Sequence, residues 1–134
     1  MLVLIVDDDE EDVELFQEAL YVIDENIRSI SAKDGEEALQ LLNAATEDKP
    51  DYIFSDLNMP RLDGKQFLVQ LKKTAVLKNI PVTILSTSNL EEDNKAAIRL
   101  GAANFITKPS KFACLIEAIS KVILHIPKDA GSRT

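Results

Sequence analysis

The sequence predicts an α/β fold whose parallel sheet is covered on both faces. Three observations carry this reading. Five short apolar runs recur along the chain, most of them continuous rather than alternating, as strands buried on both faces read. Between them lie segments with apolar residues at three- and four-residue steps, the period of an amphipathic helix. Turn and capping residues stand where one kind of segment gives way to the other. Strands alternating with helices in this way form right-handed βαβ units.

The elements follow in order. The first strand is predicted over Leu2–Val6, and Val13, Phe16, Leu20 and Ile23 mark one face of the helix after it. A second strand covers Ile27–Ser31, and Asp34-Gly35 opens a helix carrying Ala38, Leu41 and Leu42 inward. Lys49-Pro50-Asp51 precedes a third strand over Tyr52–Ser55. Asp63 suits the N-cap of a third helix whose buried side is Phe67, Leu68 and Leu71. Asn79-Ile80-Pro81 leads into the fourth strand, Val82–Leu85. Ala97, Ile98 and Leu100 mark the fourth helix, and Gly101 ends it as a C-cap glycine does. The fifth strand is Asn104–Thr107. Phe112, Leu115, Ile116, Ile119, Val122 and Ile123 form the stripe of a last helix, which Pro127 stops. One domain over residues 1–125 is expected, followed by a disordered tail at 126–134.

Composition excludes several functions. With 46% hydrophobic residues the chain has material for a core, and its net charge of −8 argues against a nucleic-acid face or adhesion to an anionic membrane. One cysteine, Cys114, allows no internal disulfide and no thiolate zinc cluster. The single histidine, His125, reads as a helix end, so a Ser-His-Asp triad is not expected. The apolar start is too short for a signal peptide, and no run approaches a membrane span. A soluble, cytoplasmic protein is expected.

Ligands of parallel α/β sheets bind beyond the carboxyl ends of the strands. That rule gathers Asp7-Asp8-Asp9, Asp56, Ser86-Thr87-Ser88 and Lys108-Pro109, each at a strand end, along one edge. Adjacent, partly buried carboxylates repel and call for a cation. Hard oxygen donors suit Mg2+, which Mn2+ can replace. A metal, a nucleophilic carboxylate, a hydroxyl and a lysine are the parts of a phosphoryl-transfer site. Each group also has an ordinary explanation. One of the three first acids suits a helix cap, Lys108 a solvated surface position, and Phe105 a core aromatic; Glu10, Glu11 and Asp12 read as a solvated first turn.

At these residues the chain resembles a known family. "LIVDDD", "SDLNMPRLDG", "PVTILSTS" and "GAANFITKP" are similar, in order and spacing, to the signature segments of the response-regulator receiver domain of two-component systems. The resemblance covers residues 1 to about 125 and is nearest to single-domain receivers of the chemotaxis type. It implies a flavodoxin-like (βα)5 doubly wound sheet with strand order 2-1-3-4-5. It implies that Asp56 is the phosphoacceptor. Asp8, Asp56 and the backbone carbonyl of Asn58 would hold Mg2+, with Asp7 acting through a water. It gives Ser86 and Phe105 switch roles, lets Lys108 bridge to the phosphoryl group, and makes the Lys108-Pro109 bond cis.

The sequence departs from the family where Ser86 stands for the commoner threonine, Phe105 for tyrosine, and Ser110 for a bulkier residue. The implied function is that of a stand-alone response regulator in phosphorelay signalling, a phosphoprotein rather than an enzyme. Its partners would be a histidine kinase or phosphotransfer protein and an unidentified downstream protein. A homodimer through the last helix is a further expectation, with Cys114, Ala118 and Leu124 adding apolar surface. The alternatives weighed are a phosphorylation-independent receiver-like binding module and a magnesium-dependent phosphatase.

Overall fold

In a computed structural model, residues 1–44 and 49–124 are described. Five strands alternate with five helices: β1 (Leu2–Val6), α1 (Glu10–Ile23), β2 (Arg28–Ala32), α2 (Gly35–Ala44), β3 (Tyr52–Asp56), α3 (Gly64–Lys73), β4 (Val82–Ser86), α4 (Glu91–Arg99), β5 (Asn104–Thr107) and α5 (Phe112–Leu124). All strand pairs are parallel, and the order across the sheet is β2-β1-β3-β4-β5. This is the flavodoxin-like doubly wound sheet, as expected.

Alternation along each strand sorts the core into two layers. Leu4, Val6, Ile53, Val82 and Ile84 face Ala38, Leu42, Phe67, Leu68, Leu71 and Ala97, which come from α2, α3 and α4. Val3, Ile5, Tyr52, Phe54 and Leu85 face Phe16, Ala19, Leu20, Ile119, Val122 and Ile123, from α1 and α5. Each strand of the central three is thus buried on both sides, which is why its sequence reads as a continuous apolar run. β2 is not covered in this way. It lies at the sheet edge, most of its residues are exposed, and it sits one residue later than the pattern Ile27–Ser31 predicts. Its register is set by the Arg28 N–H donating to the Met1 carbonyl, while Ile27 packs below the strand.

The predicted punctuation holds. Asp63 and Gln66 form a capping box at the start of α3. Gly101 follows the C-cap of α4 with φ of 111°, a conformation that favours glycine. Asp51 pins the start of β3 to β1, its carboxylate accepting from the Leu2 N–H at 2.8 Å. One expectation changes. The Lys108–Pro109 bond is trans, the form that X–Pro favours by about 0.5–1 kcal/mol. Cys114 is exposed on α5, where the stripe that packs inward runs through Ile119, Val122 and Ile123. His125, Pro127 and the tail at 126–134 lie outside the described residues.

Gly64 fixes how closely α3 approaches the end of β3. A Cβ there would clash with the Asp56 carbonyl oxygen and come within 2.9 Å of Leu57 Cα. The Gly64 N–H donates to the Leu57 carbonyl at 2.9 Å, so the close approach is also a bonded one. Gly64→Ala is therefore expected to destabilise the fold by about 2–3 kcal/mol, the upper part of the usual range for single substitutions. Urea unfolding measures this directly, and an unchanged midpoint would refute the packing argument.

Candidate functional site

Strand register brings the acids together. Val6 pairs with Ser55, so the next residues, Asp7 and Asp56, leave the sheet side by side. Asp8 follows in the loop. Asp9 caps α1, its carboxylate accepting from the N–H groups of Glu11 and Asp12. One carboxylate oxygen from each of Asp7, Asp8 and Asp56 lies within 4.8 Å of the others. Lys108 enters from the end of β5, where its N–H donates to the Ser86 carbonyl at 2.7 Å. Its Nζ lies 3.0 Å from Asp7 Oδ2, 3.1 Å from Asp12 Oδ2 and 3.6 Å from Asp56 Oδ1.

The electrostatics follow from burial. Burial pushes Asp56 up to about 6; Lys108 and the Leu57 N–H pull it down, and the charges of Asp7 and Asp8 raise it further. Asp7 is raised as well, chiefly by burial, against the opposing effects of the Asp9 N–H and Lys108. Burial acts to lower Lys108, but Asp7, Asp56 and Asp12 outweigh it and hold the ammonium charged well above the ordinary lysine range. Three clustered carboxylates with one shared ammonium remain short of positive charge. A divalent cation with a preference for hard oxygen ligands fits this donor set.

The expected residues divide into two groups. Asp7, Asp8, Asp56 and Lys108 meet directly. Ser86 and Phe105 do not join the charge cluster. Ser86 is wholly buried, and its Oγ accepts from the Ser88 N–H at 3.0 Å. Phe105 is half-buried and packs on the α2/α3/α4 layer. Asn58 is exposed in the loop after β3. Asp12 corrects the reading of the first turn as merely solvated. It is one helical turn from the acids at the β1 end and shares Lys108 with them. Its position three residues after the Asp9 cap was the available signal.

Ser88 ties this edge to α4. Its hydroxyl donates to Asp93 Oδ2 at 2.6 Å and accepts from the Leu90 N–H at 3.1 Å, and Lys65 of α3 pairs with Asp93 at 3.4 Å.

Comparison with known proteins agrees with this geometry. The family model of the response regulator receiver domain matches residues 3–120. The chain is 31% identical over 125 residues to response regulator Rcp1 of Synechocystis sp., covering 90% of this chain and 85% of that protein. It is 33% identical to the transcriptional regulatory protein PrrA of Mycobacterium tuberculosis over 90% of this chain, and spans about half the length of PrrA. Among solved structures, it resembles the phosphorylated cyanobacterial phytochrome response regulator RcpA with a TM-score of 0.82 and 33% identity, over 90% of this chain and 89% of the other. It also resembles the Mn2+-bound form of Rcp1 with a TM-score of 0.83 and 30% identity, over 94% and 96% of the two chains.

A raised carboxylate makes a signed prediction for the metal-free protein. Between the ordinary aspartate value of 3.8 and the folded value of about 6, the folded state holds more protons than the unfolded state. Ionising Asp56 therefore destabilises the fold as pH rises through that window, by an amount on the order of 3 kcal/mol at neutral pH. In chelator, Asp56→Asn should raise the melting temperature at pH 7.5 and lose this advantage near pH 4. A stabilisation that is equal at both pH values would show that charge at Asp56 is not its source.

Proposed function

The chain belongs to the response regulator receiver family, and from that premise we propose that Asp56 is its phosphoacceptor in a Mg2+-dependent reaction. Receiver domains of this kind take phosphoryl groups from histidine kinases or small phosphodonors, bind Mg2+, and act in general as non-enzymatic signalling modules. The observation that supports the assignment is the meeting of three carboxylates from the ends of β1 and β3 with the Lys108 ammonium. Asp8, Asp56 and the Asn58 carbonyl would hold the metal, with Asp7 acting through a water. The metal, when bound, supplies charge neutralisation for the incoming phosphoryl group.

The chain's own residues do the rest. Asp56 forms the new O–P bond as the P–N bond of a donor phosphohistidine breaks, its electron pair returning to the imidazole nitrogen. Burial at a strand end fixes the attacking oxygen, and positioning of this kind supplies most of the acceleration in phosphoryl transfer. Lys108 lies close enough to Asp56 to follow the new charge. Ser86 would exchange its bond with the Ser88 N–H for one to the phosphoryl group, and Phe105 would move in behind it. A phosphorylation-independent binding module has no use for the assembled acids and lysine, so the phosphorylated reading is preferred.

We further assign the domain to residues 1–125 with the tail at 126–134, and place it in the cytoplasm with a histidine kinase or phosphotransfer protein as donor. Self-association through α5 belongs to the same proposal. Cys114 and Leu124 are exposed on that helix, Leu124 by 74%. Sedimentation with a phosphoryl mimic bound should show a dimer, and a monomer at high concentration in both states removes it.

Incubation with Mg2+ and a small acyl phosphate, read by intact mass, tests the acceptor. A single phosphoryl adduct should form, and should vanish in Asp56→Asn and in chelator. An adduct that persists in Asp56→Asn places the acceptor elsewhere. Lys108→Ala should still accept phosphate yet lose a coupling to partner binding of roughly tenfold, within the usual range for linked sites. Unchanged phosphorylation-dependent affinity would remove lysine from the switch.

A further inference from the structure

A second ion pair lies outside the acidic cluster but on the same loop. Asp34 is buried to 1% exposure at the start of α2. Its Oδ1 accepts from the Glu37 N–H at 2.8 Å. Its Oδ2 accepts from Arg61 Nε at 2.9 Å and from Arg61 Nη2. Burial acts to raise Asp34, but the Glu37 N–H and the guanidinium outweigh it and hold the carboxyl below its ordinary value. Arg61 sits in the loop between β3 and α3 with φ of 61°, a left-handed conformation that arginine rarely adopts. Glu36 lies 3.9 Å from Arg61 Nε and adds weak attraction at the surface. Next to this pair the Gly35 N–H donates to the Leu62 carbonyl at 3.0 Å. The same loop is anchored at its other end, where the Leu57 N–H meets Asp56 Oδ1 at 2.8 Å and the Leu85 carbonyl at 3.2 Å.

Asn58 stands between these two anchors. We propose that Arg61 is a positioning residue: clasped by Asp34, it holds the β3–α3 loop in the shape that presents the Asn58 carbonyl to the metal. This rests on the metal-site reading above. Arg61 touches neither metal nor phosphoryl group, and it acts through three residues of backbone. A strained φ persists where its surroundings over-determine it, and here a buried carboxylate supplies that constraint.

The sign of the effect separates positioning from simple electrostatics. Removing a cation near an acidic site makes the local potential more negative, which favours Mg2+. Loss of positioning does the opposite. Arg61→Gly is the informative variant, since glycine accepts the positive φ and only the clasp is lost. We expect its Mg2+ affinity, measured by calorimetry with the metal alone, to fall roughly tenfold, as for other outer-shell supports of metal ligands. At saturating Mg2+ the rate of modification by a small acyl phosphate should approach that of the parent protein. Arg61→Lys, which restores one hydrogen bond and the charge, should recover part of the affinity.

Asp8→Asn serves as the control for the site itself. If it binds Mg2+ as the parent does, the metal-site reading fails. If it loses the metal while Arg61→Gly binds normally or more tightly, the positioning role is overturned and the site stands. A melting temperature that falls in Arg61→Gly with no change in Mg2+ affinity would reduce the clasp to a structural support.

Discussion

The structure turns on one enforced proximity. Parallel pairing of β1 with β3 sets Asp7 beside Asp56, with a carboxylate oxygen of each within 4.8 Å of the other. Within 4.8 Å, two unit charges repel by roughly 3 kcal/mol or more at an effective dielectric of 20. The sheet can impose this because its ladder is buried in two apolar layers. The nearby groups answer it: Lys108 bonds Asp7 and approaches Asp56, the Asp9 N–H bonds Asp7, and the Leu57 N–H bonds Asp56. Even so, burial and the remaining repulsion leave Asp56 raised to about 6. A site so deficient in positive charge gains most from a small divalent ion, and the fold bears part of the strain until one arrives.

The two core layers connect to this edge in different ways. On the α1/α5 side, Lys108 reaches Asp12 in the first turn of α1, so the ammonium is shared among β1, β3 and α1. On the other side the chain of contacts is neutral at its start. The Ser86 hydroxyl holds the Ser88 N–H, the Ser88 hydroxyl holds Asp93 of α4, and Asp93 meets Lys65 of α3. Thr107 donates to the Ser88 carbonyl at 3.3 Å and ties β5 to the same point. A change in the partner of Ser86 thus bears on the β4–α4 loop through these direct hydrogen bonds, without an appeal to distant rearrangement.

Much of this was legible in the residues. Continuous apolar runs identified the central strands because those strands are covered twice, and the strand-end rule gathered Asp7, Asp8, Asp56 and Lys108 from three separate stretches. Strand order was not legible from periodicity, since nothing in a run of Val and Ile says which neighbour it pairs with; it came from the resemblance. β2 was misplaced by one residue because an edge strand has weak apolar patterning. Asp12 was missed for a related reason: a first-turn acid is favourable at any helix start, so its ordinary role concealed its bond to Lys108. The Asp34–Arg61 pair was also hidden. Asp34 had a sufficient local role at the start of α2, and only the folded loop shows what its second oxygen holds.

The contrast between buried Asp34 and partly buried Asp56 bears on why Asp56 is the one proposed as phosphoacceptor. Asp34 and Asp56 both stand beside the start of a helix, and burial acts to raise both. Asp34 receives a forked guanidinium and a backbone N–H, and it ends below its ordinary value. Asp56 receives one backbone N–H and a share of an ammonium that two other acids also claim, and it ends above. The supply of donors separates the two. A carboxylate fully satisfied in this way is a poor nucleophile, because its lone pairs are committed. Asp56 receives one backbone N–H and an ammonium at 3.6 Å, and that shortage of partners, costly to the fold, is what suits it to the proposed role of phosphoacceptor.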